Sequence, residues 1–295
     1  MKIKDSLGVK IFQVVNYIIL TLLMITTLYP IIHVFMAAFS DGNELLAHRG
    51  LLLWPLNPNI KAFKMVFEGG EIFRCYGNTI YICVVSLIVN MALTTVAAYF
   101  LTRKEAVGRK TIMALIMVTM YFGGGLVPSY LVIRTLGLLD TFWALILPGA
   151  IGTYNMIVLR TAFNAIPDSL YEAARIDGAG HFRILIQIML PLAKATMAVI
   201  VLYYLVAHWN AWFGASIYIE DRTKYPLQLY LREKLIKGDM SGMGGGEMIL
   251  DSDEQSITEV IKYAIIVVST VPILCVYPFL QKYFAKGVMI GAVKG

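Results

Sequence analysis

Six apolar runs govern what this chain can fold into: roughly Ile11 to Phe39, Cys75 to Leu101, Thr111 to Ile133, Phe142 to Phe163, Leu192 to Ile219 and Val260 to Leu280. A membrane-crossing helix needs about 20 apolar residues, and longer runs accommodate by tilting, so every one of these is long enough to cross. Composition supports the same reading. Hydrophobic residues make up 58% of the sequence and the mean hydropathy is +0.70, against roughly 45–50% apolar residues in soluble domains. The expected fold class is an all-α membrane protein with six transmembrane helices. The first run is too long for a secretory signal and no small-residue cleavage site follows it, so it is expected to be retained as a span.

Charge predicts the orientation. With both termini inside, 14 Lys and Arg and five acids fall on the cytoplasmic side, giving +9 there and −3 outside. The asymmetry in short loops, above all the Arg103-Lys104-Glu105-Ala106-Val107-Gly108-Arg109-Lys110 turn, favours an inward N-terminus. The overall charge of +6 therefore reports topology and gives no reason to invoke nucleic acid. Cys75, Cys83 and Cys275 lie at or within the spans without paired spacing and read as small apolar fillers, and no metal site is expected.

A polar interruption between the fourth and fifth runs carries the most specific signal. Pro167 and Asp168 end the preceding span, and Ser169-Leu170-Tyr171-Glu172 reads as a capping box that starts a helix at about Leu170. Ala173 and Ala174 are strong helix formers without bulk, so one face of that helix is able to approach another backbone closely. Gly178 and Gly180 then supply stop signals before a second helical run. On capping alone, an ordinary loop with a capped helix fits as well. The segment Glu172-Ala173-Ala174, Asp177-Gly178-Ala179 and Ile188-Met189-Leu190-Pro191, however, resembles the EAA motif of permease subunits in binding-protein-dependent ABC importers, with all three parts at the family's spacing. Leu185 stands where that family commonly has Phe. The resemblance implies a coupling helix in which Glu172, Ala173, Ala174, Asp177 and Gly178 meet a cytoplasmic ATPase.

Within the spans, helix breakers and polar residues mark where a path is to be sought. Gly123-Gly124-Gly125 with Pro128 interrupts the third run, Pro148-Gly149 the fourth, and Pro272 with Pro278 the sixth; they permit bending or close packing. No Asp or Glu lies in any span, which argues against a proton- or sodium-coupled carrier working alone. His208 fits a hydrogen-bonded packing residue better than a proton relay. Candidates for substrate contact are Asn78, Asn90, Tyr154, Asn155, Trp209, Asn210 and Trp212. Aromatic faces suit sugar C–H groups and amides pair with hydroxyls in both directions, although an interfacial belt and interhelical hydrogen bonds explain the same residue types.

Further segments, among them Asn78-Thr79, Ala98-Tyr99-Phe100-Leu101, Leu138-Leu139-Asp140-Thr141, Trp209-Asn210, Pro226-Leu227-Gln228 and the ending Lys286 to Gly295, look like the maltose-importer type of sugar permease. Within that type the chain looks closest to the branch handling complex oligosaccharides and uronide-containing glycans. The resemblance implies a type I importer in the bacterial cell membrane. Its expected partners are a second homologous permease, two cytoplasmic ATPase subunits that bind ATP and Mg, and an extracytoplasmic solute-binding protein. The chain has no Gly-x-x-x-x-Gly-Lys-Ser/Thr phosphate loop, so it is expected to be non-catalytic and to bind no cofactor itself. The expected organisation is an N-terminal span with an extracytoplasmic segment (1–74), a core permease domain (75–281) containing the coupling loop 165–191, and a cytoplasmic tail (282–295). The long segment from about Glu220 to Glu259, with Gly242 and Gly244-Gly245-Gly246, has the composition of a mobile loop. Alternatives are a permease for peptides or amino acids, a stand-alone secondary transporter and a membrane-embedded enzyme. The last is disfavoured by the lack of any His, Asp, Glu or Cys cluster in the spans.

Overall fold

Helices account for all the regular structure in the described residues (6–68, 70–243 and 252–292) of the computed structural model. In chain order they are α1 (Leu7–Ala38), α2 (Gly42–Ala47), α3 (Lys61–Phe67), α4 (Glu71–Thr102), α5 (Arg109–Tyr121), α6 (Leu126–Thr135), α7 (Trp143–Ile146), α8 (Thr153–Asn164), α9 (Asp168–Ile176), α10 (His181–Ile184), α11 (Leu190–Leu192), α12 (Lys194–Trp209), α13 (Phe213–Tyr218), α14 (Leu227–Met243) and α15 (Ser252–Ala292). A π-helical turn, Leu185–Met189, joins α10 to α11. The chain divides into two compact units, Met1–Gly69 with Glu233–Val271, and Gly70–Arg232 with Pro272–Gly295.

The first unit begins with α1, whose N-terminus is capped by the Ser6 hydroxyl accepting the Val9 N–H at 3.4 Å. After α1 the Ser40 hydroxyl donates to the Met36 carbonyl at 2.7 Å and accepts the Leu56 N–H at 3.0 Å, pinning the return of the chain. Asp41 caps α2 by accepting the Asn43 N–H.

The second unit is organised by α4, which is polar inside and apolar outside. Thr79, Ser86, Asn90 and Thr94 recur on its buried face with Ile82, Cys83 and Ala98, while Ile80, Val84, Ile88, Val96 and Phe100 are exposed. That inversion suits a helix in lipid, where small and polar side chains mediate helix contact because lipid tails are as apolar as leucine. Around this face gather Met156, Leu159 and Phe163 of α8 and Ile200 and Tyr204 of α12. Ala174 of α9, Ile184 of α10 and Leu185 and Met189 of the π turn join the same buried cluster.

Among the described residues, three helical segments are long and apolar enough to cross a membrane: Leu7–Ala38, Glu71–Thr102 and Ser256–Cys275. Two bent pairs raise the number to five if each is one span, Arg109–Tyr121 with Leu126–Thr135 at 117° and His181–Leu192 with Lys194–Trp209 at 86°. The six runs are therefore not six continuous helices. The third breaks at Gly123-Gly124-Gly125, where Gly125 takes φ +87°. The fourth is split into α7 and α8 by the turn containing Pro148 and Gly149. The fifth stops at Asn210, with Ala211-Trp212 separating α12 from α13.

One expectation about a loop also changes. Much of the segment from Glu220 to Glu259 is helical, in α14 and the start of α15, while Gly244-Gly245-Gly246 lies outside the described residues. The tail expected at 282–295 continues α15 as far as Ala292, with Pro272 and Pro278 inside the helix.

Candidate functional site: the α9 turn and the polar seam of α4

Helix α9 starts two residues earlier than the capping-box reading placed it. Its N-cap is Pro167, without a side-chain capping bond, and Asp168 opens the first turn. Ser169 and Glu172 thus fall inside the helix, and the capping box is not formed. Asp168 instead accepts a bond from the Lys104 ammonium at 2.5 Å, which holds its carboxyl below the ordinary aspartate value, and a negative charge there complements the helix dipole.

The C-terminal end agrees with the sequence reading. Gly178 has φ +78°; its N–H donates to the Arg175 carbonyl at 3.1 Å, and the Ala179 N–H donates to the Ala174 carbonyl at 2.9 Å. This double bond pattern is a Schellman motif, whose left-handed residue is normally glycine. Ala174 faces the core at 9% exposure and Ala173 is exposed. Ile176 is 87% exposed, Phe182 74% and Leu170 44%, so α9 and the start of α10 present large apolar side chains outward while Ala174 roots them in the α4–α8–α12 core. Glu172 and Asp177 are exposed beside them.

A cluster that the motif reading missed joins this region to the end of α4. Arg103, only 8% exposed, lies with its guanidinium carbon 4.2 Å from the Tyr171 ring centre and 4.9 Å from that of Tyr99. The Tyr171 hydroxyl donates to the Glu105 carboxylate, which lowers the Glu105 pKa, while desolvation first and this bond second raise that of Tyr171. Tyr99 and His181 Nδ1 are 3.2 Å apart. In sequence, Arg103 reads as one charge of a polar turn and Tyr171 as one residue of a short capped helix, with nothing to pair them; the available signal was the density of Arg, Tyr and His flanking two polar turns.

The polar residues singled out for a substrate path have mostly local partners. Asn90 is fully buried; its amide nitrogen donates to the carbonyls of Gly149 at 2.6 Å and Ala150 at 3.3 Å, and its oxygen is 3.1 Å from His208 Nε2. Asn78 donates to the carbonyls of Thr223 and Tyr225 at 2.8 and 3.1 Å. Asn210 donates to Val206 one turn back at 2.9 Å. The Asn90 amide satisfies carbonyls at the break between α7 and α8, as lipid-embedded backbone requires. Tyr204 supports the same break: its hydroxyl accepts the Gly152 N–H at 2.9 Å and pairs with Thr94 at 2.7 Å.

The aromatic candidates are more accessible. Tyr154 is 56% exposed, with Tyr203 as its ring neighbour at 6.3 Å; Asn155, Trp209 and Trp212 are half-buried. Trp209 lies 6.3 Å from the Tyr76 ring, and one face of Trp212 is covered by the Arg232 guanidinium at 3.7 Å. A cavity of about 150 Å³ between α4, α7, α12 and α13 is lined by Thr79, Pro148, His208 and Tyr218, among others, and none of the seven candidates lines it.

Towards the other end of α4, Asp140 (φ +54°) locks the segment after α13. Its carboxylate accepts the N–H groups of Glu220 and Asp221 at 3.1 and 3.0 Å and the Lys224 ammonium at 2.5 Å. The Lys224 bond first, and the backbone bonds after it, lower the Asp140 pKa below its usual 3.8. A lowered folded-state value means that the lock stabilises fully above pH 3.8 and is lost as pH falls through the lowered pKa. In melting curves, Asp140→Asn, which keeps one acceptor oxygen, should lie between the parent and Asp140→Ala at neutral pH. Parent and Asp140→Asn should converge on acidification. Curves that stay equally separated at every pH would mean that the carboxylate's charge contributes nothing to the lock.

The sequence from 85 to 290 matches the family model described as "Binding-protein-dependent transport system inner membrane component". The chain is 39% identical over 291 residues to the polygalacturonan/rhamnogalacturonan transport system permease protein of Bacillus subtilis (strain 168), covering 97% of this chain and 99% of that protein. It is 40% identical over 286 residues to Protein LplC of the same organism, covering 97% and 96% respectively. Its fold superposes with a TM-score of 0.85, at 32% identity, on a chain in the crystal structure of a bacterial ABC transporter involved in the import of the acidic polysaccharide alginate, covering 96% of this chain and 100% of that one.

Proposed function

This chain belongs to the family of binding-protein-dependent transport system inner membrane components, and from that premise we propose how it works as a permease subunit of an oligosaccharide-importing ABC transporter. Helix α9 is the coupling helix. Glu172, Ala173, Asp177 and Gly178 form its docking end, where a cytoplasmic ATPase seats against the exposed Leu170, Ile176 and Phe182, while Ala174, expected at that end from the sequence, is buried and serves as the helix's root in the core. The observation that carries this is the combination in one short segment of outward apolar side chains with an inward root in the membrane core. An exposed isoleucine and phenylalanine at a turn call for a partner surface.

The complete importer contains a second homologous permease, two ATPase subunits that hold ATP and Mg, and an extracytoplasmic binding protein that delivers the sugar. This chain contributes no catalysis. Both termini are cytoplasmic and the chain crosses the bilayer six times, with the bent pairs and the α7–α8 segment supplying the crossings that are not single helices. The helix breaks support rigid-body alternation of access to the sugar path, with Tyr154, Asn155, Trp209 and Trp212 as its accessible aromatic and amide surface. Asn78, Asn90 and Asn210 serve that path indirectly, by holding the backbone that borders it. The polygalacturonan/rhamnogalacturonan permease and the alginate importer among the relatives support fragments of acidic polysaccharides as the substrate class.

Copurification tests this reading. Expressed with its genomic neighbours, the tagged chain should bring down an ATPase and a second permease, and its binding protein should stimulate hydrolysis in proteoliposomes. A chain that transports alone, without an ATPase, would overturn the proposal. Orientation is tested separately: cysteines at Gly108 and Gly180 should label only from the cytoplasmic side and one at Gly245 only from outside. Labelling of Gly180 from outside in intact cells would sink the topology.

A further inference from the structure

A guanidinium that is nearly out of water needs compensation from its surroundings, and that of Arg103 finds it in parts of the chain that lie far apart in sequence. Tyr99, on the last turns of α4, and Tyr171, on α9, each place a ring over it, with ring centres 4.9 and 4.2 Å from the guanidinium carbon. Nε donates to the Thr102 hydroxyl at 3.1 Å, and that hydroxyl donates to the Tyr99 carbonyl at 2.6 Å, so the side chain is braced by its own helix. His181, at the start of α10, closes the group: it lies 3.2 Å from the Tyr99 hydroxyl, and its ring is inclined only 28° to that of Tyr171. The Tyr171 hydroxyl is tied in turn to Glu105. Other contacts between α9 and this turn are weaker in kind. The Lys104–Asp168 pair is 75% and 57% exposed, and exposed pairs are screened and contribute little.

We infer that Arg103 is the positioning residue that fixes α9 to the cytoplasmic end of α4. Displacement of the coupling helix is thereby passed to α4 and is not absorbed by the Arg103–Gly108 turn. The inference rests on the reading of α9 as the coupling helix. Its physical basis is geometric: a planar cation held within 5 Å of a ring on each of two helices ties them together as a single exposed ion pair does not. Helix α4 is also the element whose Asn90 and Thr94 hold the break between α7 and α8, the latter through Tyr204. A push on α4 therefore reaches the segment bordering the 150 Å³ cavity.

The test uses the whole complex, with both permeases, both ATPases and the binding protein, in proteoliposomes. A cysteine at Arg74, exposed in the first turn of α4 and outside its apolar run, reports movement through its maleimide labelling rate in the nucleotide-free and ATP–vanadate-trapped states. Arg103→Gln should retain the ATPase subunits while the difference in rate between the two states shrinks by about five-fold or more, the lower range of ordinary coupling between sites. Arg103→Lys, which keeps a cation but not the planar fork, should recover part of the difference. Tyr171→Leu removes one ring from a half-buried position and should reproduce the Arg103→Gln result, so it decides the matter if Arg103→Gln does not assemble. An undiminished difference in Arg103→Gln or in Tyr171→Leu overturns the inference. Failure of the coupling-helix reading itself would be seen elsewhere, as Gly178→Val complexes that keep both their ATPases and the full labelling difference.

Discussion

Complexes carrying Gly178→Val are expected to insert and pair with the second permease normally, yet to lose their ATPase subunits or to hydrolyse ATP without import. The reason is conformational. A Cβ at Gly178 would meet nothing within 4 Å, so space is not the obstacle. The residue must hold φ +78° for its N–H and that of Ala179 to bond the carbonyls of Arg175 and Ala174. A left-handed L-residue costs about 1–2 kcal/mol, and a β-branched side chain is a stronger outlier still. Releasing that strain unwinds the motif and redirects α10. Gly178→Asn tolerates the left-handed region and should keep most of the activity. Glu172→Ala sharpens the test. Because Glu172 lies inside α9 and caps nothing, alanine there does not weaken the helix. A loss of ATPase retention of about ten-fold or more, within the range of a hydrogen bond to a charged group, then reports a contact with the partner. Normal retention and import in both Gly178→Val and Glu172→Ala would make the segment a structural loop.

The second large effect is expected at Asn90. Asn90→Ala leaves the carbonyls of Gly149 and Ala150 and the facing nitrogen of His208 without their present partner. Each unsatisfied buried group costs about 1–3 kcal/mol, and hydrocarbon supplies no water to replace it. Asn90→Asp is nearly isosteric but sets acceptor against acceptor at both carbonyls. It should therefore melt at least as early as Asn90→Ala when the purified complex is heated in detergent. Parental melting of Asn90→Asp would mean that the amide donor is dispensable and that the residue is available to the sugar path.

These two positions also mark what the sequence discloses and what it withholds. Gly178 was legible because its role is local: a glycine just beyond a short alanine-containing helix announces a left-handed stop. The breaks at Gly123-Gly124-Gly125 and Pro148-Gly149 were legible for the same reason. The role of Asn90 was not, since its partners lie 59, 60 and 118 residues away and an asparagine in a span reads equally as sugar ligand or helix glue. The capping box failed because a short-range pattern met a competing geometry, with Pro167 at the N-cap and Asp168 drawn to Lys104. Trp212 looked like an open sugar platform, and only the fold reveals Arg232 over one of its faces.

The inverted polarity of α4 has a consequence for biosynthesis. As the chain leaves the ribosome, α4 enters the bilayer with the Asn90 amide unmatched, because the carbonyls it will bond are encoded 59 and 60 residues later and His208 118 residues later. At about 5–20 residues per second, roughly 6–24 s separate synthesis of Asn90 from synthesis of His208. During that interval the nascent helix carries a polar stripe that lipid cannot solvate, so translation order leaves α4 dependent on the insertion machinery until α8 and α12 arrive.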